Sequence, residues 1–154
     1  MLKHVLLTTV MGTFLLQTGA APGTQVWKAS DIQARGRALA RKLDAGKLAS
    51  ETIATAGNRS FIVAHREGSG QVEWHEKQAD IMFISSGKVT VVYGGTIVNG
   101  KTTAPGEMRG SEISGGTEVT LGPGDILHVP AKTPHQMKLA PGAQVTYFVA
   151  KVIE

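Results

Sequence analysis

The chain has 154 residues, 19 of them glycine, no cysteine, and a formal net charge of +4. That length fits one domain and a short leader, and the missing cysteines exclude a disulfide framework, a thiolate metal site, a cysteine nucleophile and a lipidated cysteine. Residues 1–58 carry seven Lys/Arg against three acids while residues 59–154 carry nine of each, so the excess charge gives no support to a phosphate-binding groove and no nucleic-acid partner is expected.

Residues 1–21 read as a secretory signal peptide. Lys3 and His4 form a basic start, residues 5–16 are apolar apart from Thr and Gly, and Thr18, Gly19, Ala20 and Ala21 supply small residues for cleavage after Ala20 or Ala21. The apolar run is shorter than the ~20 residues of a helical membrane span. The expectation is a periplasmic or secreted protein whose mature chain has no integral membrane span.

Residues 22–49 form an N-terminal helical segment. The spacing predicts a helix over 30–43, with Ser30 as cap, Asp31 at the positive end of the dipole, and Arg41 and Lys42 at the negative end. Ile32, Gly36, Leu39 and Leu43 share one face, which packs on something larger. The basic residues lie on the other side, a solvated face or else a surface for an anionic membrane or an acidic partner.

From residue 50 to 154 the helical period gives way to short apolar or alternating runs bounded by Gly, Pro, Asn and Ser. Nine strands are expected, at 51–55, 61–65, 71–75, 81–85, 88–93, 118–121, 126–129, 136–139 and 145–152, which argues for an all-β antiparallel sandwich or barrel. Residues 94–117, rich in glycine and charge, read mainly as a long loop with at most one strand at 96–98. Glu107 and Arg109 on that loop are the candidates for a charged lid.

Two segments carry the candidate chemistry. Residues 73–80 read Glu-Trp-His-Glu-Lys-Gln-Ala-Asp, with six residues between Asp80 and Gly87. On a strand, Glu73 and His75 face one side and Trp74 the other, and a turn at 76–79 starts a return strand whose Asp80 can face the same pair. The second segment is Pro123-Gly124-Asp125, a strand, then Pro130 and, five residues later, His135. Without a cation, inward-facing Glu73 and Asp80 would form a costly unpaired acidic pair in a low-dielectric pocket.

These two segments resemble the two motifs of the cupin superfamily over about residues 50–152. The first motif falls on Glu73, His75, Asp80 and Gly87, with Glu where His is usual and Asp where Glu is usual; the second falls on Pro123, Gly124-Asp125, Pro130 and His135. Leu139 stands where the second motif usually has Asn. The resemblance implies a double-stranded β-helix (jelly-roll) barrel with one divalent transition metal (Fe, Mn, Ni, Zn or Cu) in its mouth. The implied ligands are Glu73, His75, Asp80 and His135; Asp80, one methylene shorter than Glu, either binds directly or orients His75 or a water. Glu73 is the candidate proton-transfer group where it is not a ligand. The implied partner is a small, oxygen-rich organic molecule. The resemblance is compatible with a metal-dependent oxidoreductase, lyase or isomerase, with non-enzymatic binding of a sugar, organic acid or metal, and with a structural or sensory protein that keeps a relict site. His128 is expected on the surface and His65 at a strand edge or the pocket rim. Trp74 is expected on the outer face, under the helix or at the contact of a homodimer.

Overall fold

A computed structural model describes residues 23–154, and the expected leader lies outside the described residues. The helix, α1 (Ala29–Leu39), is four residues shorter at its C-terminal end than the spacing predicts, and Ser30 is not its cap. Lys28 takes the cap position, and its backbone N–H donates to the Asp31 carboxylate at 3.1 Å. Asp31 thereby closes the first turn and complements the dipole. Beyond the helix, the Asp44 carboxylate accepts from the Leu48 N–H at 2.9 Å while the Asp44 N–H donates to the Leu48 carbonyl at 3.0 Å. That turn draws the chain into the first strand.

Thirteen strands follow among the described residues, where nine were expected. The first five are β1 (Leu48–Ala56), β2 (Arg59–Arg66), β3 (Val72–His75), β4 (Gln78–Gly87) and β5 (Val89–Tyr93). Residues 94–117, expected to be mainly loop, fold into β6 (Thr96–Val98), β7 (Lys101–Ala104), β8 (Glu107–Gly110) and β9 (Glu112–Ser114). The last four are β10 (Thr117–Leu121), β11 (Ile126–Val129), β12 (His135–Lys138) and β13 (Val145–Ile153). The segment escapes the sequence pattern because β7 is exposed along its whole length and β8 half-buried, which leaves no clean apolar alternation.

All pairings are antiparallel. One sheet runs β1-β2-β13-β4-β11, the second β10-β5-β12-β3-β8-β7, and β6 pairs with β9. The two large sheets enclose a core that includes Met82 and Ile84 from β4, Val89 and Val91 from β5, Met137 from β12, and Val145, Tyr147 and Val149 from β13. Strand alternation sorts β13 cleanly. Val145, Tyr147 and Val149 point inward, while Phe148 packs outward against the cluster of Ile32, Leu39, Ala49 and Val63 beneath α1. Trp27 completes that outer layer, with its ring 5.0 Å from Phe61 and 5.6 Å from Phe148, centroid to centroid.

The same alternation places His65 in β2. Phe61, Val63 and His65 face the helix, and Ile62, Ala64 and Arg66 face the interior. His65 is therefore neither a strand-edge nor a rim residue: it is 4% exposed, with Nδ1 2.8 Å from the Thr146 hydroxyl. Trp74 is half-buried opposite Met108 of β8, and is not under α1, whose neighbours are β1, β2, β4 and β13. His128 is exposed, as expected. Leu139 packs against the main core.

Gly87 ends β4 with φ +81°, and a Cβ there would run into the Gln144 carbonyl oxygen and come within 2.9 Å of the Val145 Cα. Those contacts are backbone atoms at the start of the paired strand and of the residue before it, and cannot rotate away. Gly87→Ala is expected to destabilise the protein by at least the ~1–2 kcal/mol of a left-handed non-glycine residue, read as a lower urea midpoint with an unchanged m-value.

Candidate functional site

Strand register assembles the site. His135, at the head of β12, lies opposite Glu73 of β3. On the other side of β3, Glu107 pairs with His75 and Arg109 with Glu73. In the facing sheet Lys151 of β13 pairs with Asp80 of β4. The Pro-rich turn before His135 is pinned at both ends, because the Lys132 N–H donates to the His75 carbonyl at 2.7 Å and the Gly94 N–H donates to the Pro134 carbonyl at 2.9 Å. The Pro123-Gly124-Asp125 turn is held by the middle of β4: Gly124 N–H donates to the Ile84 carbonyl at 2.9 Å, and Ile84 N–H donates to the Asp125 carbonyl at 3.0 Å. Both motifs are thus locked to each other through backbone hydrogen bonds.

The two imidazoles are buried, at 4% and 3% exposure, and their centroids are 5.4 Å apart. Each is tethered through Nδ1. His75 Nδ1 lies 2.7 Å from one Glu107 oxygen and 2.9 Å from the other. His135 Nδ1 donates to the Thr133 carbonyl at 3.1 Å. The tethers turn both Nε2 atoms inward. His75 Nε2 is 3.6 Å from Glu73 Oε2 and 3.7 Å from Asp80 Oδ2. His135 Nε2 is 3.5 Å from Asp80 Oδ2, yet has no hydrogen-bond partner among the described residues.

Glu73, His75 and His135 each offer one ligand atom, and these atoms lie within 4.8 Å of one another. Asp80 is beside the two imidazoles, but its oxygens accept from Lys151 Nζ at 2.8 and 2.9 Å. Nζ also stands 3.4 Å from His75 Nε2. The acidic pair is consequently not left uncompensated: Lys151 neutralises Asp80, and Arg109 stands 3.7 Å from Glu73 and 3.1 Å from Glu107. Glu107 and Arg109 belong to a paired strand inside the site and are not a lid on a loop.

These contacts set the protonation of the site. Burial by itself would raise the Asp80 carboxyl, but His135, His75 and the Lys151 ammonium together hold it well below the usual carboxylate range. Burial by itself would lower His75, and Lys151 acts in the same direction, but Asp80 and Glu107 outweigh them and raise it above 6.5. Glu107, despite the opposing effect of burial, is lowered by His75 and Arg109. Burial pushes the Tyr147 phenol up, which keeps it a neutral hydroxyl.

A cavity of about 470 Å³ opens on Glu73, Arg109 and Lys151, with Arg66, Gln71 and Tyr147 also in its wall. A smaller pocket of about 50 Å³ shares several of those residues and reaches Asp80 and His135. All four residues singled out by the motifs therefore meet at one place. Lys151, Arg66 and Tyr147 were not anticipated. Their signal was phase: Lys151 continues the inward series Val145, Tyr147, Val149, and Arg66 continues Ile62, Ala64. A cation in step with core residues must end in a pocket or beside a carboxylate.

No family model matches the sequence, and no curated protein does. Solved structures do match in shape. TT1209 from Thermus thermophilus is 18% identical, with a TM-score of 0.55 over 76% of this chain and 92% of its own. The cupin domain of Schizosaccharomyces pombe Cnp3 is 11% identical, with a TM-score of 0.53 over 70% of this chain and 66% of its own. A cupin-2 domain from Rhodospirillum rubrum, Rru_A2000, is 12% identical, with a TM-score of 0.51 over 70% of this chain and 61% of its own. The likeness shows the fold, an all-β cupin jelly roll; among the described residues one helix packs on its outer face.

Proposed function

We propose that this cupin-fold chain is an exported protein that binds one divalent transition metal through Glu73, His75 and His135 and presents it to a small, oxygen-rich organic molecule in the adjoining cavity. The observation that carries the reading is the pair of histidines, each held by Nδ1 and each aiming Nε2 at the same point, with His135 Nε2 buried and without a partner among the described residues. A buried ring nitrogen without a partner is costly unless a cation or donor meets its lone pair. Glu107 supplies His75 with the carboxylate that metal-binding histidines ordinarily receive. Asp80 acts beside this set, fixed by Lys151. Two imidazoles and a carboxylate suit Fe, Mn, Ni, Zn or Cu.

When bound, the metal supplies Lewis-acid polarisation of a substrate oxygen or, if it is iron, dioxygenase-type chemistry. The chain's own residues do the rest. Glu73, whose side chain is 33% exposed, moves a proton between substrate and water where it is not engaged by the ion. Lys151 and Arg109 hold negative charge on the substrate side, and Tyr147 donates from the wall. Non-enzymatic binding of a sugar or organic acid is the second reading, favoured by the Lys151–Asp80 pair, which already balances part of the acidic charge without an ion. Export rests on the sequence of residues 1–21, and is checked by the N-terminus of protein recovered from a secreting host.

Elemental analysis of untagged protein, as purified and after reconstitution with each of the five metals, tests the reading; near-stoichiometric metal supports it and none in any preparation sinks it. Turnover or oxygen consumption by the loaded protein separates enzyme from binder. Glu107→Gln keeps the side-chain shape but weakens the hold on His75, and is expected to lower metal affinity ~10–100-fold by competition titration.

A further inference from the structure

Four features of the cavity wall single out one side chain. Arg66 is 5% exposed and lies in both the large cavity and the smaller pocket beside it. Its guanidinium NH1 donates to the Gly68 carbonyl at 3.5 Å, at the limit of such a bond. Its buried Nε has no partner among the described residues. Nor does it have a carboxylate within ion-pair distance among those residues, whereas the other two cations of the wall do: Lys151 has Asp80 at 2.8 Å, and Arg109 has Glu107 at 3.1 Å. Of the other acids of the wall, Glu73 stands 3.7 Å from Arg109, and Asp44 gives its carboxylate to the Leu48 N–H.

A buried guanidinium with five donors and no anion is an expensive arrangement. Its position is also built. Arg66 is delivered inward by the β2 alternation, and Gly70 leaves room for it: a Cβ on Gly70 would stand 2.9 Å from NH1 and 3.1 Å from the Arg66 Cζ. Tyr147, a neutral hydroxyl, and Gln71 flank the same space. The planar fork of a guanidinium matches a carboxylate through two parallel hydrogen bonds.

We infer that Arg66 is the anchor for a carboxylate, so that the molecule taken by the cavity is a small organic acid held at its carboxylate by Arg66, with its hydroxyl or carbonyl oxygens directed toward Lys151 and the His75–His135 centre. The inference rests on the cavity being a ligand site, as proposed above, but not on the presence of the metal. It turns the general expectation of an oxygen-rich molecule into one of an anion, and it excludes a neutral sugar. The acid is recognised as its carboxylate form, because the guanidinium donates and cannot accept.

The test uses metal-free, chelator-treated protein, so that carboxylates cannot act through an ion. Thermal stability is followed with glycolate, citrate and D-glucuronate, against chloride at equal ionic strength, with glucose as neutral control and glycerol phosphate as the other oxyanion. At least one carboxylate is expected to raise the melting temperature of the parent, whereas glucose and chloride do not. Arg66→Met is expected to fold, to be at least as stable as the parent without ligand, and to bind the effective carboxylate at least tenfold more weakly; Arg66→Lys restores part of the binding. Retention of the carboxylate effect in folded Arg66→Met overturns the inference, as does a parent that responds to none of the three acids. A stronger response to glycerol phosphate than to every carboxylate also overturns it, in favour of a phosphate ester. Loss of metal binding with the Arg66-dependent response intact would defeat the metal reading alone.

Discussion

His135→Ala is expected to fold and to lose its metal. The side chain makes one hydrogen bond, from Nδ1 to the Thr133 carbonyl at 3.1 Å, and its Nε2 makes none among the described residues. Truncation removes a ligand and one of the groups that hold Asp80 ionised, but leaves Asp80 its pair with Lys151 at 2.8 Å. The turn that carries it stays tied to the His75 and Gly94 backbone. Affinity should fall by more than the ~10–100-fold typical of a residue that only supports a ligand, which in practice is loss of metal during purification. His75→Ala should lose metal as well, but at a larger cost in stability, because Glu107 and Asp80 are both left facing a missing imidazole. Elemental analysis alongside a thermal melt separates the two effects. Stoichiometric metal in folded His135→Ala would remove His135 from the site.

Lys151→Met should be the most destabilising of the changes considered in metal-free protein. Asp80 is 2% exposed, and its carboxylate stays ionised in the fold because the imidazoles and Lys151 surround it. Removing the ammonium leaves a buried carboxylate without its closest counter-charge, an event that costs ~3–5 kcal/mol in well-buried pairs. Lys151 retains 20% side-chain exposure, and the histidines remain at hand, so about 3 kcal/mol is the appropriate figure, or a fall of roughly 6–12 °C in Tm. Two companion results define the cause. Asp80→Asn combined with Lys151→Met should recover most of the loss, because the uncompensated charge is gone. Adding the preferred divalent metal should also stabilise Lys151→Met more than it stabilises the parent, because the ion replaces the missing positive charge and no longer meets a neighbouring ammonium. Equal stabilisation of the two proteins would show that Lys151 and the metal do not share a field.

How far the site was legible in sequence depends on the kind of information each residue carries. Glu73 and His75 are two apart, Asp80 follows one tight turn, and His135 follows a Pro-rich turn. Their grouping is local within each motif, and the resemblance to the cupin superfamily joined the two. Gly87, required by its positive φ and its contact with Gln144, was visible for the same reason. Glu107 and Arg109 were visible as charged residues but misplaced on a loop. Their strand, β8, is four residues long and half-buried, and its identity comes from pairing with β3. A strand defined by its partner has no periodicity of its own to read. His65 was misplaced because alternation gives two faces without saying which is the interior; α1 decides, by covering the face that carries His65.

The sequence by itself determined the all-β class, the helix after residue 28, the turns and the two histidines with their neighbouring acids, because each of these is written in local chemistry: alternation, Gly and Pro punctuation, and short spacing. Tertiary structure alone decided the charge balance of the site. Lys151 lies 71 residues from Asp80 and meets it only through the register of β13 on β4, and Arg66 lacks an anion among the described residues only because the strands that bring the other charges together place none beside it. Short-range patterns fix which residues face inward, while Coulomb energy depends on which of them finally lie within a few ångströms, and that distance is a property of the folded sheets.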